Sequence, residues 1–313
     1  MSDNVAHALA GAGGGMVSMA LTYPLTTLST RSQVTKSGGR VSQVEAFKKI
    51  IREEGPKGLY SGISSAMFGI AITQYVYYYW YELVKAALEK AAGADRALTV
   101  AENMLTGAIA GAATAGITNP IWVINTRQVV KKNESDDNAK PIYKKQGTIE
   151  TAMKILREEG LKGFWQGILP ALILVINPVI QFTVFERLKG WLQNRKSTAL
   201  GGLDFFILGA ISKLAATSIT YPYIVVKSRM QLKQSGDENT RYKSVLDGLR
   251  KIINTEGVRG LYKGIEAKLV QSVLASAATF ALKEQFFSSA TWLLVLLKLR
   301  ANKVAEAIVA VPP

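Results

Sequence analysis

The chain has 313 residues, 48% of them apolar, with a formal charge of +15, no cysteine and a single histidine, His7. Without cysteine there is no disulfide framework, thiol nucleophile or Cys-based zinc site, and one histidine excludes a Ser-His-Asp triad or a multi-His metal centre. So basic a balance points to nucleic acid, anionic lipid or an anionic small ligand, and membrane-length apolar runs decide among the three.

The N-terminal stretch MSDNVAHALAGAGGG has no basic segment leading into an apolar one, and reads as neither a cleaved secretory signal nor an Arg-rich transit peptide. Its AGAGGG lacks the Gly-Lys-Ser/Thr of a phosphate loop and reads as small residues that let helices pack closely. The first apolar run, 6–28, leads into TYPLTTLSTR (22–31). An amphipathic helix follows, with Val44, Phe47, Ile50 and Ile51 on one face, fit to lie along a membrane surface. It runs into KIIREEGPKGLYSG (49–62) and the second apolar run, 63–84, where Gln74, Tyr77, Tyr78 and Tyr81 share a helical face.

The third run, 102–124, carries TNPIWVINTR and precedes KILREEGLKGFWQG (154–167) and the fourth run, 168–187. The basic stretch RLKGWLQNRKS (187–197) reads as an import-receptor site or an anionic-lipid contact. The fifth run, 204–226, holds Lys213 and TYPYIVVKSR; KIINTEGVRGLYKG (251–264) then leads to a sixth, 266–288, with Glu266 and Lys268 at its start. Each run is about the length of a bilayer crossing, yet each contains polar residues or a charge, as helices around a polar cavity do. A soluble nucleic-acid binder would not carry six such runs.

Pro24, Pro120 and Pro222 lie 96 and 102 residues apart, and the acidic-Gly segments recur with nearly the same period. Two landmarks repeating together divide the chain into units 1–97, 98–200 and 201–290, with a tail at 291–313. Gly55, Gly160 and Gly257 are expected to end the amphipathic helices in a left-handed conformation, and Tyr60, Trp165 and Tyr262 to form an interfacial aromatic belt.

This triple pattern resembles the mitochondrial carrier family over roughly residues 5 to 290. The resemblance implies an all-α membrane protein: six transmembrane helices in three pseudo-threefold repeats around a central cavity, working as a monomer by alternating access. Where the family writes Pro-X-acid-X-X-base for its inner gate, this chain has Thr26, Trp122 and Ile224 at the acid positions and Ser29, Asn125 and Lys227 at the base positions. Closure there is expected to rest on hydrogen bonds and on Trp122 as an apolar plug. For the cytosolic gate the family's aromatic-acid-X-X-base supplies Glu82 with Lys85, Glu186 with Lys189, and Glu284 without a base. By the family's threefold logic Glu82 would pair with Lys189 and Glu284 with Lys85. Two pairs against none bias the resting protein toward closure on the cytosolic side. Two readings stand for Arg31, Arg127 and Arg229: a role in the inner gate, or cations facing the helix dipole.

For cargo, Lys213 is the candidate phosphate contact, because an intramembrane charge without a role is costly. Ile173 and Leu174 stand at the family's substrate-selecting position, where an apolar pair resembles the nucleotide carriers. Asn177, Lys268 and a ring at Tyr77 or Tyr78 that stacks on adenine complete the candidate site, although Glu266 and Lys268 read equally well as a local pair. Segments such as INPVIQFTVFE and GIEAKLVQSVLASAATF are similar to the peroxisomal branch of the family. That implies a peroxisomal membrane location, with the mitochondrial inner membrane as the alternative. The implied cargo is ATP exchanged for AMP or ADP, or else CoA, FAD or NAD. A membrane anchor or receptor without transport is the reading from another class. No motif supports an enzymatic reaction, a bound cofactor or a metal.

Overall fold

A computed structural model describes residues 2–35, 42–93, 98–130, 147–195, 200–232 and 242–278. The described residues are helical throughout, without strands. Three long helices, α1 (Ser2–Val34), α4 (Val100–Val129) and α8 (Gly202–Gln231), each hold one of the three prolines in their interior. Three twelve-residue helices, α2 (Gln43–Glu54), α5 (Thr148–Glu159) and α9 (Val245–Glu256), follow them. Each of these short helices leads through a 3₁₀ turn into the return helix of its unit: α3 (Ile63–Ala92), α6 (Ile168–Ile173) with α7 (Asn177–Gln193), and α10 over 265–278.

The second return is not the single helix expected over 168–187. It breaks at the 3₁₀ turn Leu174–Ile176 before resuming as α7. Pro178 has no N–H to offer Leu174, whose carbonyl instead takes the Asn177 N–H and tightens the turn.

Among the described residues, three segments are long and apolar enough to cross a membrane: Val100–Val129, Leu161–Gln193 and Gly202–Gln231. α1 and α3 have the length, at 33 and 30 residues, but Gly, Ser and Thr in α1 and a Tyr-rich stretch in α3 lower their hydropathy. The sixth run continues past the described residues. Burial is inverted relative to a water-soluble bundle. Leu105, Ile109 and Ile117 on α4 and Leu203, Ile211 and Ile219 on α8 face outward, while Thr106, Thr114, Thr118, Ser212, Thr217 and Thr220 are buried. Small polar residues between helices and aliphatic ones outside suit a lipid surround.

α1, α4 and α8 meet at their C-terminal ends through a cyclic set of contacts. Arg31 Nε donates to Val129 O (2.8 Å), Arg127 Nε to Gln231 O (3.0 Å) and Arg229 Nε to Gln33 O (2.8 Å), so each unit grips the next and the third grips the first. The same guanidinium groups fork onto Glu54, Glu159 and Glu256, the glutamates ahead of Gly55, Gly160 and Gly257. Bidentate arginine–carboxylate pairs fix both partners' geometry, so these arginines tie each long helix to its own surface helix rather than merely facing the dipole.

Gly55, Gly160 and Gly257 do have positive φ, but with ψ near 180°, a region open essentially to glycine alone. The left-handed glycines lie further on: Gly62 (φ 80°, ψ 8°) and Gly167 (φ 75°, ψ 12°) precede α3 and α6, and Gly264 (φ 80°) precedes α10. The predicted belt rings are half-exposed and also packed inward. Tyr60 stacks on Tyr23 and Tyr262 on Tyr221, with centroids 6.2 and 6.1 Å apart, while Trp165 Nε1 donates to Gly116 O.

Candidate functional site

Above the convergent ends of the long helices lies a cavity of about 240 Å³, lined among others by Thr73, Tyr77, Thr118, Asn119, Trp122 and Lys227. Tyr77 stacks on Tyr81 with centroids 5.9 Å apart. Of the two tyrosines singled out from sequence it is therefore Tyr77, not Tyr78, that presents a ring to this space. Trp122 donates its indole N–H to Thr73 Oγ1 (3.2 Å). It forms part of the cavity wall rather than an apolar plug in the gate below.

Lys227 also lines the cavity, although its position in the repeat marks it for the gate. Lys227 and Lys213 stand on either side of Pro222 on α8, and Lys268 lies near the start of α10. Lys268 Nζ donates to Gln271 Oε1 (2.9 Å), and Gln271 Nε2 reaches Thr22 Oγ1 (3.5 Å). Lys213 and Lys227 make no hydrogen bond or ion pair among the described residues. A lysine without an ion-pair partner on a cavity wall inside a helical bundle is a ready contact for an anion.

The remaining candidates fall elsewhere. Ile173 ends α6 and Leu174 opens the 3₁₀ break, while the neighbouring Ala171 faces the cavity. Asn177 donates its side-chain amide to Thr220 Oγ1 (2.8 Å), joining α7 to α8. Ile224 packs with the apolar cluster of Tyr221, Val225 and Val226, and Thr26 Oγ1 turns back to its own helix at Thr22 O.

Below the cavity the gate is closed by hydrogen bonds, two of its three base positions being neutral. Ser29 Oγ donates to Gly264 O (3.0 Å) and Asn125 Nδ2 to Gly62 O (2.9 Å), each reaching the glycine that starts a return helix of another unit. Tyr23 Oη and Tyr221 Oη donate to Ser61 O and Lys263 O, both 2.9 Å. Asn119, preceding the second proline as those tyrosines precede the others, donates to Phe164 O and Gln166 O. The sequence analysis missed these three residues and the buried Gln33 and Gln231. The repeated Tyr/Asn-Pro dipeptide was the available signal for the first three.

The other gate differs from expectation in this conformation. Lys189 pairs with Glu186 on its own helix (3.5 Å) rather than with Glu82, and Lys85 with Glu89 (3.9 Å). Glu284 lies outside the described residues. In this conformation the inner end is held by neutral hydrogen bonds and by the Arg–Glu forks, contacts that counting gate ion pairs leaves out.

The family model of the mitochondrial carrier protein matches this chain three times in tandem, over residues 2–92, 96–196 and 201–291. The chain belongs to the mitochondrial carrier family. It is 39% identical over 96% of its length to mitochondrial substrate carrier family protein Q of Dictyostelium discoideum, covering 93% of that protein. It is 38% identical over 94% of its length to the peroxisomal nicotinamide adenine dinucleotide carrier of Arabidopsis thaliana (98% covered), and 35% identical over 90% to peroxisomal membrane protein PMP47B of Candida boidinii (86% covered). As a member of this family the protein is a multi-pass membrane transporter, and its full-length relatives include several peroxisomal membrane proteins.

Proposed function

We propose that this carrier exchanges adenine nucleotides, ATP inward against AMP or ADP, across the peroxisomal membrane. The observation that carries this reading is the Lys227 ammonium beside the rings of Tyr77 and Trp122 in one cavity, with Lys213 on the same helix as Lys227 and Lys268 on α10 as the further cations. A polyphosphate chain needs several cations close together, and a purine needs a flat π-face. With the inner end closed, anions are drawn to the lysines, and exchange proceeds when the gate below them opens. The long helices then act as a monomeric three-part iris held by the Arg–carbonyl ring. The stretch 187–197, whose Arg195 guanidinium sits 4.5 Å over the Trp191 ring, is the candidate surface for an import receptor.

A second reading, NAD as the cargo, is favoured by relatives named as nicotinamide adenine dinucleotide carriers or transporters. It uses the same lysines for the pyrophosphate and the same rings for adenine. Proteoliposomes preloaded with AMP, NAD, CoA or FAD and offered labelled ATP decide between them. ATP/AMP exchange at the highest rate supports the first reading. Exchange confined to NAD replaces it with the second, and no flux with any preload in folded protein favours the anchor reading.

A further inference from the structure

The inner gate has three seams built to one plan, and one of them lacks its acceptors. At the α8–α1 seam, Gln33 Nε2 donates to Ser29 Oγ (3.1 Å) and Tyr221 Oη (3.2 Å), while Ser228 Oγ donates to Gln33 Oε1 (2.6 Å). At the α1–α4 seam, Asn125 Nδ2 meets Tyr23 Oη (3.3 Å) and Ser65 Oγ (3.1 Å), and Ser65 Oγ donates on to Gln128 Oε1 (2.6 Å). Both seams are self-satisfied.

The α4–α8 seam repeats the first register, with Thr126 Oγ1 donating to Gln231 Oε1 (2.8 Å) as Ser228 does to Gln33. Yet Gln231 Nε2 has no acceptor among the described residues, although the residue is only 2% exposed. Where Gln33 finds Ser29 and Tyr221, the equivalent helix positions hold Lys227, a pure donor, and Asn119, whose amide nitrogen donates to the Phe164 and Gln166 carbonyls and whose Oδ1 makes no hydrogen bond with Gln231. A buried amide N–H₂ and an ammonium one helical turn apart, neither with a hydrogen-bond acceptor among the described residues, are costly as they stand. What the seam lacks is oxygen atoms bearing negative charge.

We propose that the α4–α8 seam is a built anion site: a phosphate group entering through the cavity is held by the Lys227 ammonium and the Gln231 side-chain amide. Lys227 faces the cavity and Gln231 lies one turn deeper on α8, so the terminal phosphate of a solute reaches this site at the lowest point of its descent. The site gives the seam its missing acceptor and makes repeats 2 and 3 the seam that senses cargo. This deepens the nucleotide reading and rests on it only for what brings the phosphate; the site itself is tested without transport.

The test is thermal unfolding of the purified full-length carrier in detergent, with and without inorganic tripolyphosphate, for wild type, Gln231→Leu, Lys227→Ser and Gln33→Leu. Tripolyphosphate is expected to raise the wild-type and Gln33→Leu midpoints. Its shift should fall by half or more in Gln231→Leu. Lys227→Ser copies the satisfied seam, so it should be more stable than wild type without ligand and lose most of the ligand shift. Equal shifts in wild type and Gln231→Leu, a Lys227→Ser variant less stable than wild type, or a chloride control that shifts the midpoint as far as tripolyphosphate would each overturn the site. If Gln231→Leu does not fold, Lys227→Ser decides the matter alone. Loss of exchange with the shift intact would count against the nucleotide reading and leave the anion site standing.

Discussion

Lys213 was singled out in the sequence because a lysine nine residues before a helix proline sits deep in the membrane, where an unused charge is disfavoured; the structure leaves it half-buried on α8, outside the cavity lining. Tyr77 was half legible: periodicity placed it on one face with Tyr78 and Tyr81, and only packing chose between the two candidates. Lys227 was read as a gate residue from its place in the repeat, and the cavity claims it too. Gln231 was invisible, since a glutamine at a helix end means nothing until its amide nitrogen is seen to be buried without an acceptor among the described residues. If the three lysines hold phosphate, Lys213→Ala and Lys268→Ala should each slow nucleotide exchange about tenfold or more, the equivalent of about 1.4 kcal/mol or more in transition-state stabilisation. Initial rates in proteoliposomes check this, and a variant retaining half the wild-type rate removes that lysine from the site.

Among the elements, the glycines before the return helices are the most constrained. At Gly264 an added Cβ would stand 2.7 Å from Ser29 O, with φ at +80°. The left-handed backbone alone costs a non-glycine residue about 1–2 kcal/mol, and the clash adds to it. Gly264→Ala should therefore lower the unfolding midpoint clearly more than alanine at the open, helical Gly209, where nothing lies within 4 Å.

The Arg–Glu forks make a second test at this scale. Arg229 and Glu256 are 3% and 5% exposed, and removing one partner of a buried pair costs about 3–5 kcal/mol. Arg229→Ala should therefore unfold at a markedly lower temperature than wild type. Burial raises the Glu256 pKa, but hydrogen bonds from Arg229 and Lys263 outweigh it and leave the group below its ordinary 4.5. A depressed carboxylate contributes stability that is fully present above pH 4.5 and is lost as pH falls through the folded value. Thermal unfolding followed from pH 6 downward should show that loss in wild type and a shallower one in Glu256→Gln; identical slopes would contradict the assignment. The surface helices and their terminal glycines followed from sequence patterning. The break at Leu174–Ile176 did not, because a proline inside an apolar run is compatible with both a kinked helix and an interrupted one.

At the scale of the whole molecule, the threefold plan was written in the spacing of prolines and acidic-Gly segments, and the closed ring of Arg31, Arg127 and Arg229 contacts is its physical form. The contacts that close the inner end in this conformation were not legible. Charge is easily counted in a sequence, whereas neutral hydrogen bonds among Ser29, Asn125, Tyr23 and Tyr221 depend on which helices face each other. On the proposed function, the cavity above this ring, lined by Lys227, Tyr77 and Trp122, carries adenine nucleotides. The most direct measurement is uptake of labelled ATP into AMP-loaded proteoliposomes by wild type and Lys213→Ala, with NAD-loaded vesicles in parallel. The account predicts rapid ATP/AMP exchange that Lys213→Ala abolishes in a folded protein; undiminished exchange in the variant, or flux only against NAD, would contradict it.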